Sequence, residues 1–252
     1  MQPAALFTQF TRFTLMEYLR SGRALIELSA TVAMFLAAIR GRALDAESFF
    51  ANAALFSLVL ALYTGSTIIG LGDRPHGYLL VIRPLGRTGY LVGLYSAILI
   101  VVVVCYALLC LLTAIAAPVE GMGVRGWLAG SVPLLLNVAL LSALLSLLAP
   151  FVLPPAWRLA VLALVALAFS SSLLGGATLQ SLPTAAVLVL EALRTISGAP
   201  LMPAFAGYAL SVSRDYSGVA PLIPLAQLTL TTGMLAIAVY SFNRRDLAFD
   251  AP

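Results

Sequence analysis

Lysine is absent from the 252-residue chain: all 14 basic residues are arginine. A phosphate loop of the GxxxxGK[ST] type needs that lysine to reach nucleotide phosphates, so the chain carries no such ATP site. A lysine Schiff base is excluded with it. Histidine occurs once, at His76, which rules out HExxH and other multi-histidine zinc sites. The two cysteines, Cys105 and Cys110, sit inside one apolar run without CxxC spacing; packed membrane residues are the simpler reading than a disulfide framework or a metal site. Charged residues make up only 10% of the chain, against about a quarter in a soluble domain.

What is there is apolar. Hydrophobic residues reach 62% and the mean hydropathy is +1.04. A soluble fold of this length cannot hide so much apolar side chain, and disorder requires the opposite composition. The remaining class is an all-α integral membrane protein, with room for about eight to nine crossings at about 20 residues each. The net charge of +4 comes from arginines in short clusters flanking apolar runs, as expected at the ends of membrane spans, and is no nucleic-acid signal. No cleavable leader is legible, so the first span is expected to act as the targeting signal.

Residues 4–23 mix aromatic and polar side chains, with Leu6, Phe10 and Phe13 on one helical side. They read as an interfacial helix with Arg12, Arg20 and Arg23 reaching lipid phosphates, or as a plain cytoplasmic lead-in. Six apolar runs follow: Ala24–Ile39, Phe49–Gly72, Tyr90–Ala117, Trp127–Ala149, Trp157–Gly176 and Val219–Phe242. The first is short, roughly 24 Å as a helix, and contains Glu27, four residues after Arg23 and so placed to pair with it at the interface. Between the fifth and sixth runs, Glu191, Arg194, Pro200 and Pro203 interrupt an apolar stretch. A charge at the bilayer centre costs about 2.5–3.5 kcal/mol and proline breaks a helix, so two short helices that dip in and return, over 181–215, fit better than a seventh crossing.

Arginine counts set the orientation. With six spans, one side carries Arg12, Arg20, Arg23, Arg74, Arg83, Arg87, Arg158, Arg244 and Arg245, and the other only Arg40, Arg42, Arg125, Arg194 and Arg214. Nine against five places both termini, including the 243–252 tail, in the cytoplasm of a multi-pass protein of the cell (inner or plasma) membrane.

Spans two to six have no Asp, Glu, Arg or His in their interiors, which counts against a proton-coupled or metal pathway. Their polar residues are neutral: Asn52, Thr64, Asn137, Ser171, Gln227 and Thr231 either tie helices together or line a pathway. No GxSxG and no intramembrane aspartate pair occurs, and His76 falls in a loop away from the intramembrane serines, so an enzyme is not expected.

The loop after span two, 73–88, holds five consecutive apolar residues, Tyr78–Ile82, ringed by Arg74, Arg83 and Arg87. A solvated loop has no use for such a plug; it lies on the bilayer or enters a groove of another protein. The whole order is a basic lead-in MEYLRSGRALIE, then GDRPHGYLLVIRPLGRTGYLVG running into span three, a proline-interrupted hairpin, and a last span closing on FNRRDL. It resembles the permease subunits of ABC-2 type ATP-binding cassette exporters. That resemblance implies one transmembrane domain over 1–252, working as a dimer with a second copy or a homologous permease. It implies a coupling helix at Arg74, His76, Tyr78, Leu79, Ile82 and Arg83 docked on a separate cytoplasmic ATPase, and a second ATPase contact through Arg12, Glu17 and Arg20. ATP and magnesium would sit on that ATPase, with no cofactor in this chain, and the hairpin would cap the outer end of the pathway. Membrane lipids are the other expected partner. A pathway lined by Ser, Thr, Asn and aliphatic side chains suits an amphipathic or lipid-like substrate. The alternative is a self-contained secondary carrier or channel with no ATPase.

Overall fold

The computed structural model describes residues 3–41, 45–72, 86–119, 122–169, 192, 195–196 and 198–244. Every regular element among them is helical. The chain begins with α1 (Pro3–Arg20) and α2 (Arg23–Met34), the latter running on as a π-helical turn over Phe35–Ile39. Then come α3 (Ala46–Gly72), α4 (Gly86–Ala116), α5 (Val124–Leu147) and α6 (Pro155–Phe169). A 3-10 turn at Ala199–Leu201 leads into α7 (Met202–Ser213), and α8 (Leu222–Arg244) follows.

Four helices, α3, α4, α5 and α8, are long and apolar enough to cross a membrane, and the bent pair Phe7–Arg20 with Arg23–Ile39 makes a fifth if it counts as one span. Their outward faces carry large apolar side chains, among them Leu55, Val104, Ile115, Leu225 and Ile237. In water such patches would be an aggregation hazard; in hydrocarbon they cost nothing. The chain is therefore a membrane-embedded helical protein.

A 74° bend separates α1 from α2. Gly22, at φ 75, makes it, since only glycine takes that backbone region without a Cβ penalty. α1 does not stand alone on a surface. It lies against α4 as well as α2, burying Phe10, Thr11, Thr14 and Tyr18 while Phe13, on the side expected to be apolar and covered, is exposed. The buried face is the one that meets Tyr90, whose ring lies 5.2 Å from that of Phe10.

α5 is the hub, touching α3, α4, α7 and α8. Two apolar clusters fill the bundle ends. One gathers Phe10, Ile68, Tyr90, Leu91, Phe151 and Phe242 where α3 ends, α4 begins and α8 ends. The other gathers Phe35, Ile39, Phe49, Phe50, Tyr106 and Leu109 at the opposite end, with Trp127 edge-on to Phe49 at 5.0 Å. α6 keeps Trp157, Leu159, Leu162 and Leu164 exposed. Of the hairpin expected over 181–215, the described part includes α7, packed against α3, α5 and α8.

Candidate functional site

Proline at position 133 falls within α5. It has no N–H to give Ala129 and so would orphan that carbonyl. The hydroxyl of Tyr216, beyond the end of α7, donates to Ala129 O at 2.8 Å. One turn further along α5, a side-chain network joins the same partners. Asn137 Nδ2 donates to Ala204 O on α7 at 2.9 Å. Gln227 Nε2 on α8 donates to Asn137 Oδ1 at 2.7 Å and to Pro133 O at 3.0 Å. Thr231 Oγ1 closes back on Gln227 O at 2.8 Å.

The Gln227 amide sits where a Cβ on residue 207 would be, so any larger residue there would push the amide out of the junction. Gln227 is fully buried, and its Oε1 has no partner among the described residues. Three of the residues read from sequence as pathway-lining or helix-tying, Asn137, Gln227 and Thr231, thus meet in one junction that pins α7 between α5 and α8. Arg214 adds an outer tie: its guanidinium stands 5.9 Å from the Phe50 ring centre and 3.8 Å from Met122 Sδ. A fourth helix joins through Tyr106 and Ser131, whose hydroxyls are 2.6 Å apart.

A second polar centre lies at the α1–α2 elbow. Glu27 does not pair with Arg23 as its spacing suggested. It turns inward, 1% exposed, and its Oε1 accepts from Tyr18 Oη at 2.5 Å and from Thr64 Oγ1 on α3. The i−4 arginine loses because Tyr18 and Thr64 converge from two other helices on a site that hydrocarbon and protein close to water.

The third feature is the entry to α4. Arg87 donates from Nη1 to Phe242 O at 3.1 Å and Asn243 O at 3.0 Å, carbonyls in the last described turn of α8. Its guanidinium also lies 6.0 Å from the Phe242 ring centre, and Asn243 Nδ2 donates to Thr88 Oγ1 at 3.2 Å. Around this clamp run the ring contacts Tyr90–Phe151 at 6.1 Å and Phe151–Phe242 at 5.4 Å.

Of the remaining residues singled out from sequence, Arg12, Glu17 and Arg20 are exposed on the outer face of α1. Asn52 is half-buried near the start of α3 and donates to Ser48 O at 2.8 Å. Thr64 belongs to the elbow. Arg74, His76, Tyr78, Leu79, Ile82, Arg83 and Ser171 lie outside the described residues. Sequence reasoning missed Tyr216 and the true partners of Glu27. The first had a signal, since a proline inside a span demands a substitute donor; the second had none, because Tyr18 reaches Glu27 only across the 74° bend and Thr64 lies 37 residues away. Among the described residues no three His, Cys, Asp or Glu side chains gather as a metal site would need. Comparison with protein-family models, curated proteins and solved structures finds no match.

Proposed function

We propose that the chain is the membrane permease subunit of an ATP-driven exporter of the ABC-2 type. It would move an amphipathic or lipid-like substrate by alternating access when coupled to a separate ATPase, with ATP and magnesium bound there. In this reading the chain crosses the membrane six times with both termini in the cytoplasm, and 181–215 forms the outer re-entrant hairpin. The segment 73–88 docks on the ATPase through Arg74, His76, Tyr78, Leu79, Ile82 and Arg83, and Arg12, Glu17 and Arg20 of α1 form a second contact. Two such permeases make the pathway.

The observation that carries the reading is the clamp at the entry to α4. Arg87 binds the end of α8, and Tyr90 packs on α1 through Phe10 and on α8 through Phe242, at 5.2 and 6.4 Å. A displacement of the segment that ends at residue 85 would therefore reach α1, α4 and α8 together. Such a junction would let a motor outside the membrane act on three helices at once. Alternating access would then follow as the closing ATPases draw the docking segments together and the bundle transmits the shift to the α5–α7–α8 junction.

Sidedness tests this. A His76→Cys variant, on a background with Cys105 and Cys110 replaced by serine, is labelled by a membrane-impermeant thiol reagent in intact and opened cells. Labelling only after opening agrees with a cytoplasmic docking segment; labelling of intact cells refutes it. The self-contained carrier has one observation in its favour, a buried carboxyl at Glu27. Substrate flux through liposomes holding the purified chain alone, without nucleotide, would establish it instead.

A further inference from the structure

Glu27 is a buried acidic residue whose surroundings supply donors to only half of its carboxyl group. Both Tyr18 Oη and Thr64 Oγ1 converge on Oε1, while Oε2 is buried with no partner among the described residues. An ionised carboxylate spreads its charge over two equivalent oxygens, and burying it requires donors or a cation for both. A neutral carboxylic acid is unsymmetrical: its carbonyl oxygen accepts twice, and its other oxygen carries hydrogen. The arrangement at Glu27 is that of the acid.

We propose that Glu27 is a proton-binding site, a neutral carboxylic acid whose Oε1 is the carbonyl held by Tyr18 and Thr64 and whose Oε2 bears the proton. Among the described residues, the neighbours on the packed elements are uncharged. α1 brings Tyr18, α3 brings Thr64 with Tyr63 and Thr67 nearby, and α4 brings the Cys105 thiol. On α2 itself Thr31 Oγ1 donates to the Glu27 carbonyl at 2.8 Å. No arginine among the described residues pairs with the carboxyl, so a proton is the cation that balances it. The Oε1 carbonyl joins three helices, because Tyr18 lies on one side of the 74° elbow and Glu27 on the other, with Thr64 on α3. Losing the proton from Oε2 would leave a charge with donors on one oxygen alone. The site holds whichever partner drives the chain, and its test is independent of any ATPase.

Infrared spectroscopy of the full-length protein in liposomes at neutral pH reads the site directly. The wild type minus Glu27→Gln difference is expected to show a protonated-carboxyl C=O band, moved by carbon-13 labelling of glutamate. Should Glu27→Gln fail to fold, Tyr18→Phe and Thr64→Val keep the carboxyl, and each is expected to shift that band upward by removing one hydrogen bond from the carbonyl. Glutamine imitates the neutral acid, so Glu27→Gln is also expected to melt at the wild-type temperature while Glu27→Ala melts lower. A difference spectrum showing only carboxylate bands, or a band unmoved in both Tyr18→Phe and Thr64→Val, overturns the proposal.

Discussion

At the scale of single residues, the interior is organised by polar groups that repair one another. Pro133 leaves Ala129 O without its helical donor, and Tyr216 supplies one from another segment. Removing that hydroxyl leaves a half-buried carbonyl without its protein donor, at the low end of the range of about 1–3 kcal/mol that an unsatisfied buried group costs. Tyr216→Phe is therefore expected to lower stability by about 1 kcal/mol in detergent unfolding. In a Pro133→Ala background, where residue 133 regains its N–H, most of that loss should vanish. Equal losses in both backgrounds would show that Tyr216 acts by packing alone. The Asn137–Gln227 pair was visible in sequence only as two neutral polar residues in different spans. Their meeting depends on Gly207 leaving room between α7 and α8, a distance relation that no local pattern encodes.

At the scale of elements, hydropathy located the long helices closely. The runs Phe49–Gly72, Tyr90–Ala117, Trp127–Ala149 and Val219–Phe242 correspond to helices Ala46–Gly72, Gly86–Ala116, Val124–Leu147 and Leu222–Arg244. Three begin earlier than their apolar runs because Glu47, Arg87 and Arg125 continue the helix where headgroups and water accept them. α1 and α2 were harder to read, since α1 buries two threonines and a tyrosine rather than a clean apolar stripe. The fifth run, Trp157–Gly176, is matched as far as Phe169.

Helix ends make two further predictions. Arg87 holds the last carbonyls of α8, so Arg87→Ala should speed amide hydrogen exchange in residues 241–244 while leaving the middle of α3 unchanged. Arg87→Lys, with a point charge in place of a planar fork, should restore this only in part. At the start of α3, Asp45 Oδ1 accepts from the Ser48 N–H at 3.4 Å, and hydrogen bonding from Ser48 holds the Asp45 carboxyl below its usual range. A lowered carboxyl stabilises the folded state above its ordinary pKa and loses that contribution as pH falls through the lowered value. Protection of the first-turn amides of α3, taken relative to their intrinsic exchange rates, should therefore fall on acidification, and Asp45→Ala should flatten that fall.

For the whole molecule, composition fixed the class because nothing soluble or disordered can carry it. The absence of lysine removes one kind of motor site from this chain, and the proposed ABC-2 reading would put the motor on a separate subunit. What the sequence could not convey is how the bundle is knotted. α7 is held between α5 and α8 by side-chain amides, and the end of α8 is clamped to the entry of α4. In the proposed reading these ties would carry a push at one membrane face to the polar junction inside.

Capture of the motor tests that account most directly. The tagged full chain is purified from its native membranes, and P-loop ATPases in the eluate are identified and quantified by mass spectrometry. The same is done for Tyr78→Asp and for deletion of residues 77–82, each first shown to reach the membrane in normal amount. The account predicts an ABC-type ATPase in near-equal amount with the wild-type chain and its loss from both variants. An eluate without such an ATPase, or equal recovery from all three proteins, would contradict it.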